Sequence, residues 1–190
     1  MVTSLDKRFG SHESFGRYRF LAEIGLGGMS EIYLTITQGG LAGFQKLVVL
    51  KLLRRDLAED DDFRRMFLYE ARLAARLNHP NVVQTRDVGE DHGRLYIAME
   101  YLEGQSFERI RRARSSAKRF PLAMQLQMLS NVLSGLHYAH ALADYDDSPI
   151  SIVHRDATPQ HWIQCNGNNA IKIPKNFPII ESLNFTSPHH

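Results

Sequence analysis

The sequence predicts an α+β fold, in which a five-stranded antiparallel sheet carries one main helix and is followed by a mainly helical region. Short apolar segments rich in β-branched and aromatic residues, separated by turn residues, recur through the first half of the chain and indicate strands. Beyond Gly104 the apolar residues recur at three- and four-residue spacing, which is typical of one face of a helix. This change of period divides the chain into a sheet-rich part and a helical part.

The composition is that of a globular protein without a strong electrostatic preference. The chain has 190 residues, of which 43% are hydrophobic, and a net charge of +2, so it can form one unit or two small lobes. This balance predicts neither a nucleic-acid partner nor a membrane partner. The sequence lacks an apolar run long enough to span a bilayer and a signal peptide's apolar core, which predicts a cytoplasmic protein. Cys165 is the single cysteine, which excludes an internal disulfide framework.

The first two predicted strands, 18–24 and 31–37, flank a glycine-rich loop. The loop comprises Ile24, Gly25, Leu26, Gly27, Gly28, Met29, Ser30, Glu31 and Ile32. Glycines in such a turn allow backbone N–H groups to approach a phosphate closely. The loop leads into a strand and lacks Gly-Lys-Ser/Thr, so it is neither a dinucleotide-fold turn nor a Walker loop. It is either a hairpin that covers phosphates or an ordinary glycine-rich turn.

A lysine and a glutamate stand out in the next two elements. Lys51 lies within the nearly continuous apolar strand 46–53, and Glu70 lies within the apolar stripe of a helix predicted over 60–77. The stripe comprises Phe63, Met66, Phe67, Ala74 and Leu77. The preceding acidic run, Asp60-Asp61-Asp62, is predicted to supply the N-cap and first-turn acids of this helix. Each buried charge needs a partner, which predicts an ion pair between the two. The alternative is that Glu70 lies at the edge of the stripe and reaches water.

The remaining elements complete the sheet and begin the helical part. Strands are predicted over 82–88 and 94–101, with Ser106 capping a short helix and Pro121 opening a long one. The long helix has a stripe predicted to face the core: Leu122, Leu126, Leu129, Leu133, Leu136 and His140. His137 and His140 lie one turn apart; a packed or surface pair is favoured over a metal site, because no Cys or carboxylate lies nearby.

Six motifs occur in the order found in the protein kinase family, and the sequence resembles bacterial serine/threonine kinases of the eukaryotic-like type over 18–160. They are the glycine-rich loop, the strand ending Val48-Val49-Leu50-Lys51, Glu70 in the following helix, His79-Pro80-Asn81, the hinge sequence Met99-Glu100-Tyr101-Leu102, and His154-Arg155-Asp156. The resemblance implies an N-lobe with its hinge over 17–104 and part of a C-lobe over 105–173. It leaves a flexible lead-in at 1–16 and an atypical tail at 174–190, which is expected to be disordered.

The resemblance also implies ATP as cofactor and a protein as substrate. The loop and Lys51 are then expected to hold the phosphates, with Glu70 pairing with Lys51. The backbone groups of Glu100 and Leu102 are the expected partners of adenine. Asp156 is the expected acceptor of the substrate hydroxyl proton.

The magnesium ligands depart from the family pattern. The family uses an Asn five residues after the catalytic Asp, where this chain has His161, and a neutral imidazole is a poor ligand for Mg²⁺. The family's Asp-Phe-Gly motif has its nearest remnant in Asn176-Phe177-Pro178, in which Asn176 lacks the charge. Mg²⁺ is therefore expected from the family, but its ligand set is incomplete.

The last segment differs in composition from the rest. No arginine follows Arg155, and Pro174, Pro178 and Pro188 interrupt the segment, which suggests a kinase reading frame interrupted near Gln160. A true variant end is the alternative. Three functions are consistent with the sequence: an ATP-dependent serine/threonine kinase, a pseudokinase-like fragment that binds nucleotide or a partner, and an interrupted product without function.

Overall fold

A computed structural model describes residues 14–38, 45–113, 121–144, 148, 150, 162–165 and 171–173 of the chain. Three residues singled out in the sequence, Asp156, His161 and Asn176, lie outside the described ranges. The same holds for the tail at 174–190 and for most of the lead-in. Among the described residues, no helix is long and apolar enough to cross a membrane.

The first part of the chain forms an antiparallel sheet of six strands. The strands are β1 (Ser14–Phe15), β2 (Tyr18–Leu26), β3 (Ser30–Thr37), β4 (Leu47–Leu53), β5 (Thr85–Asp91) and β6 (Arg94–Glu100). Their order across the sheet is β1-β2-β3-β4-β6-β5. The five longer strands confirm the predicted sheet, and β1 adds a sixth strand at its edge.

Two predicted boundaries in this sheet are wrong. The lead-in does not extend to Gly16, because Ser14 and Phe15 pair with β2 and the Phe15 side chain is buried. The fourth long strand starts at Thr85 rather than at residue 82, since Val82 instead bridges to Ile173. β5 and β6 then continue to a two-residue turn at His92–Gly93, where both residues have positive φ, as tight hairpins require.

Helix α1 (Asp61–Arg76) packs on one face of the sheet. Its first turn is capped by Asp60, whose side chain accepts hydrogen bonds from the backbone N–H groups of Asp62 and Phe63. Phe67 and Ala71 lie on the apolar face of the helix and are buried. They form one cluster with three strand residues, Leu53, Leu95 and Ile97. The predicted helix, its acidic cap and its apolar stripe are thereby confirmed.

The helical part begins directly after the hinge. It contains β7 (Gly104–Ser106), α2 (Phe107–Ala113), α3 (Leu122–His140), β8 (Ile163–Cys165) and β9 (Ile171–Lys172), with the strands in the order β7-β8-β9. Ser106 caps α2 as predicted, since its hydroxyl accepts a hydrogen bond from the Arg109 N–H at 3.3 Å. Phe107 stacks on Trp162 with the ring centroids 5.9 Å apart, and this contact joins α2 to β8.

The predicted core stripe of α3 is wrong except at Leu136, which packs against the cluster formed by Met128, Val132, Ile171 and Ile173. Leu122, Leu126, Leu129 and Leu133 are 69%, 57%, 45% and 56% exposed, and His140 is also exposed. The helix instead buries Met128, Val132, Gly135 and Ala139. The reason is the close approach of Gly135 to the chain after α1, since a Cβ there would lie 3.1 Å from the Asn81 carbonyl oxygen. The helix has two apolar faces, and the face that contains glycine is the buried one.

Candidate nucleotide site

The centre of the candidate site is the ion pair between Lys51 of β4 and Glu70 of α1. The Lys51 Nζ lies 2.5 Å from the Glu70 Oε1, and the side chains are only 9% and 5% exposed. The predicted pair is present, and the alternative that Glu70 reaches water is wrong. Burial raises the pKa of Glu70 above its usual range, while the Lys51 ammonium acts in the opposite direction. The pair therefore holds the Lys51 ammonium on the sheet, where it is largely shielded from water.

The strand register places part of the glycine-rich loop beside Lys51. Ile32 of β3 lies directly opposite Lys51, and Gly25 of β2 lies opposite Ile32. Directly opposed residues share a face of the sheet, so Ile32 and Gly25 lie on the same face as Lys51. Glu31 points to the other face, where its carboxylate accepts a hydrogen bond from Arg94 at 2.7 Å. The Glu31 side chain therefore faces away from Lys51, and Glu31 contributes only its backbone to the face of the loop beside Lys51.

The tip of the loop is tied to the end of β4 by Arg54. The Arg54 guanidinium donates to the Gly28 carbonyl at 3.1 Å, and its backbone N–H donates to the Met29 carbonyl at 3.0 Å. Asp56 accepts two hydrogen bonds from the same guanidinium, at 3.0 and 2.7 Å, and this contact lowers the pKa of Asp56. Arg54 was not predicted from the sequence, because an arginine after an apolar strand looks like an ordinary surface charge.

The sides and the interior of the loop differ in exposure. Ser30 is buried, and the Gly27 N–H donates to its carbonyl at 2.7 Å, which closes the turn. Met29 packs against the cluster that includes Phe67 of α1. Ile24 and Leu26, by contrast, are exposed on the outer edges of the hairpin. The loop therefore has one side fixed to the sheet and one side open.

The hinge follows β6. Met99 is packed against the α1 cluster, and Leu102 is half-buried in the segment that leads to β7. The Glu100 carboxylate accepts hydrogen bonds from the Lys172 ammonium at 2.6 Å and from the Gln84 N–H at 2.8 Å. The side chain of Glu100 is therefore engaged away from the hinge backbone, and no sequence pattern indicates its partner Lys172.

The described residues contain no metal site. No group of three or more His, Cys, Asp and Glu side chains in these ranges is arranged to hold a metal ion. His137 and His140 are exposed on α3, as expected for a surface pair. Arg111 and Arg112 of helix α2 are exposed, and both pair with Glu108.

A glycine-rich hairpin beside a buried Lys–Glu pair, joined by a hinge to a helical part, is the arrangement found in the first lobe of the protein kinase class. Comparison with known sequences agrees, because the profile described as "Protein kinase domain" matches residues 18–174. The chain therefore belongs to the protein kinase family, and its relatives are bacterial kinases of the eukaryotic-like type.

Two curated relatives illustrate the similarity. The chain is 38% identical over 150 residues to the tyrosine-protein kinase MasK of Myxococcus xanthus, covering 78% of this chain and 23% of that protein. It is 34% identical over 177 residues to the serine/threonine-protein kinase PrkC of Bacillus subtilis, covering 92% of this chain and 24% of that protein. The chain thus spans about a quarter of the length of these relatives.

A solved structure supports the same fold. The kinase domain of PknI from Mycobacterium tuberculosis matches with a TM-score of 0.63 and 30% sequence identity. The match covers 90% of this chain and 64% of that one. The predicted kinase-like architecture, with a sheet-rich first lobe and part of a helical second lobe, is therefore confirmed.

Proposed function

We propose that the chain supplies the ATP-binding lobe of a protein serine/threonine kinase, which transfers the γ-phosphate of ATP to a protein hydroxyl. The buried Lys51–Glu70 pair is the observation that carries this proposal. An ion pair on the surface contributes little free energy because water screens it. A cation that is shielded from water attracts a bound anion more strongly. Ile32, which lies opposite Lys51, brings the glycine-rich hairpin to the same face.

The side chains then have distinct roles. Phosphoryl transfer depends mainly on positioning and on charge stabilisation, with little covalent help from the protein. Lys51 binds phosphate oxygens, and Glu70 keeps the ammonium in place. The N–H groups of the loop cover the phosphates, and the backbone of Glu100 and Leu102 binds adenine. Asp156, which lies outside the described residues, orients the hydroxyl of the substrate.

No step of this mechanism is assigned to Mg²⁺. When bound in a kinase, it neutralises charge on the phosphates. The described residues do not offer a ligand group for it, and His161 and Asn176 lie outside the described ranges. These two departures from the family pattern favour a second candidate function, in which the chain binds nucleotide or a partner without transferring phosphate.

The preference for serine and threonine is supported by the names of PrkC and PknI, whereas MasK is named a tyrosine kinase. Phosphoamino-acid analysis of a phosphorylated protein substrate distinguishes the two. A cytoplasmic location, and the lack of nucleic-acid or membrane partners, stay predictions from the sequence.

One experiment tests the proposed site. ATP binding is measured by calorimetry, with and without Mg²⁺, for the wild-type chain, Lys51→Met and Lys46→Met. Lys46 is an exposed lysine near the start of β4 and serves as the matched control. Loss of the charged contact in Lys51→Met is expected to weaken ATP binding about tenfold or more, with no change in the control.

A phosphate-transfer assay then separates the two candidate functions. Transfer that Asp156→Asn abolishes supports the kinase. A magnesium-independent increase in melting temperature with ATP, without transfer, supports the binding fragment. If ATP neither raises the melting temperature nor gives a binding signal, the proposed ATP site is wrong.

A further inference from the structure

A partly buried ion pair lies at the hinge. It joins Lys172 of β9 to Glu100, the last residue of β6, with 2.6 Å between Nζ and Oε1. The two side chains are only 19% and 13% exposed. Removing one partner of such a pair leaves the other charge poorly solvated, so the contact has consequences that a surface pair lacks. We call these two residues the hinge ion pair.

Glu100 is also fixed by the segment between α1 and β5. Its carboxylate accepts a hydrogen bond from the Gln84 N–H at 2.8 Å, and its own N–H donates to the Gln84 carbonyl at 3.0 Å. The same segment is bonded to β9, since the Val83 N–H donates to the Ile173 carbonyl at 3.0 Å. The end of β6, residues 81–84 and β9 thus form one hydrogen-bonded unit.

The other end of the hinge is attached to the same small sheet. Gly104 of β7 pairs with Cys165 of β8, and β8 pairs in turn with β9. Residues 101–103 therefore run between two fixed points, the hinge ion pair and the start of β7. The position of this short segment depends on both attachments. The hinge ion pair is made by side chains, whereas the start of β7 is held by backbone pairing with β8.

We propose that Lys172 is a positioning residue for the nucleotide base, acting through Glu100 on the hinge backbone. This inference rests on the proposed function, since the base would be the adenine bound by the backbone of Glu100 and Leu102. Lys172 itself does not contact the nucleotide. Without its ammonium, the Glu100 carboxylate turns toward water, releases the Gln84 N–H and moves the hinge backbone away from the position that binds the base.

The binding test compares ligands that share one part of ATP. Dissociation constants of ATP, adenosine and inorganic triphosphate are measured by calorimetry for the wild-type chain, Lys172→Met, Lys172→Arg and the matched control Lys46→Met. Lys172→Met is expected to weaken the binding of adenosine and of ATP about fivefold or more, while the binding of triphosphate stays unchanged. Lys172→Arg is expected to restore the affinity, because a guanidinium also pairs with a carboxylate. Equal weakening of all three ligands would contradict a role at the base.

Amide hydrogen exchange provides a second measurement that needs no ligand. The N–H groups of Gln84 and Glu100 are expected to exchange faster in Lys172→Met than in the wild-type chain, and unchanged in Lys46→Met. If Lys172→Met fails to fold, Glu100→Gln replaces it, since the amide keeps an acceptor for the Gln84 N–H but loses the charge. Glu100→Gln is expected to weaken adenosine binding in the same way.

The outcomes separate this inference from the proposed function. If the wild-type chain does not bind ATP, both the proposed function and the role of Lys172 at the base are wrong. Amide hydrogen exchange then decides only whether the hinge ion pair fixes the hinge backbone. Wild-type adenosine affinity together with unchanged exchange, in a folded variant, overturns the inference while leaving the ATP site intact.

Discussion

The sheet region (residues 14–100) and the helical region (residues 104–173) differ in how completely their apolar surfaces are covered. The sheet is packed on both faces: α1 lies on one, and Phe15, Tyr18 and Tyr33 cluster on the other. In the helical region, α3 packs one face against β9, while its leucine face is exposed. The candidate nucleotide site is thus built on the region whose described core is covered on both sides.

The two regions also differ in where their buried charges find partners. Lys51 pairs with Glu70, and Arg94 pairs with Glu31, within the sheet region. The partly buried Lys172 of the helical region instead pairs with Glu100 of the sheet region. This ion pair therefore joins the two regions.

The largest expected effect contrasts the two packed surfaces directly. Phe67→Ala removes a fully buried ring between α1 and the sheet and is expected to lower the free energy of unfolding by about 4 kcal/mol. Leu133→Ala, on the exposed face of α3, is expected to change it by less than about 0.5 kcal/mol. Urea unfolding followed by circular dichroism measures both. Comparable losses would show that the leucine face is covered in solution.

The next effect concerns the charges within the sheet region. Lys51→Met leaves Glu70 buried without its cation and is expected to cost about 3 kcal/mol of unfolding free energy near pH 7. Burial raises the pKa of Glu70, and the variant loses the ammonium that opposes this shift. A carboxyl whose pKa is higher in the folded state binds its proton more tightly there, so its destabilising effect disappears as the pH falls through the folded pKa.

The pH dependence of Lys51→Met supplies the control for that explanation. Its stability relative to the wild-type chain is expected to recover as the pH is lowered from 7 toward the ordinary pKa of a glutamate, because the raised pKa of Glu70 lets the folded state take up the proton first. The double variant Lys51→Met/Glu70→Gln lacks the titrating group and is expected to lack this recovery. Identical pH profiles for the single and double variants would show that Glu70 is not the cause.

The smallest effect tests how α3 is attached. Gly135→Ala is expected to lower the free energy of unfolding by about 1 kcal/mol, because the new Cβ would press on the Asn81 carbonyl oxygen 3.1 Å away. On an exposed helix face the same exchange would stabilise the helix by about 1 kcal/mol. Ser130→Ala, at an exposed position of the same helix, is the matched control. A stabilising Gly135→Ala would mean that α3 does not approach Asn81 this closely in solution.

The sequence was most informative where a residue conflicted with its surroundings. A lysine in an apolar strand and a glutamate in an apolar stripe each need a partner, and this need predicted the Lys51–Glu70 pair. The acidic cap of α1 and the glycine-rich hairpin were predictable for a similar local reason. The roles of these residues with ATP stay predictions, as does the role of Asp156.

The features that the sequence analysis missed depend on contacts between distant segments. The partners of the hinge ion pair are separated by 72 positions, and each alone resembles an ordinary surface charge. α3 carries two apolar stripes with the same spacing, so periodicity could not choose between them. The choice is made by Gly135, whose missing side chain permits a close contact that spacing does not reveal. Strand β1 has two residues, too few for any periodicity.

The stacking of Trp162 on Phe107 has an optical consequence. Trp162 is the single tryptophan of the chain, and it lies in the small sheet beside α2. Emission excited at the red edge of aromatic absorption therefore comes from the helical region alone. Tyr18, Tyr33 and Tyr96, by contrast, lie in the sheet region and dominate its near-ultraviolet absorbance. The tryptophan thus gives a spectroscopic signal for the helical region alone, without any label.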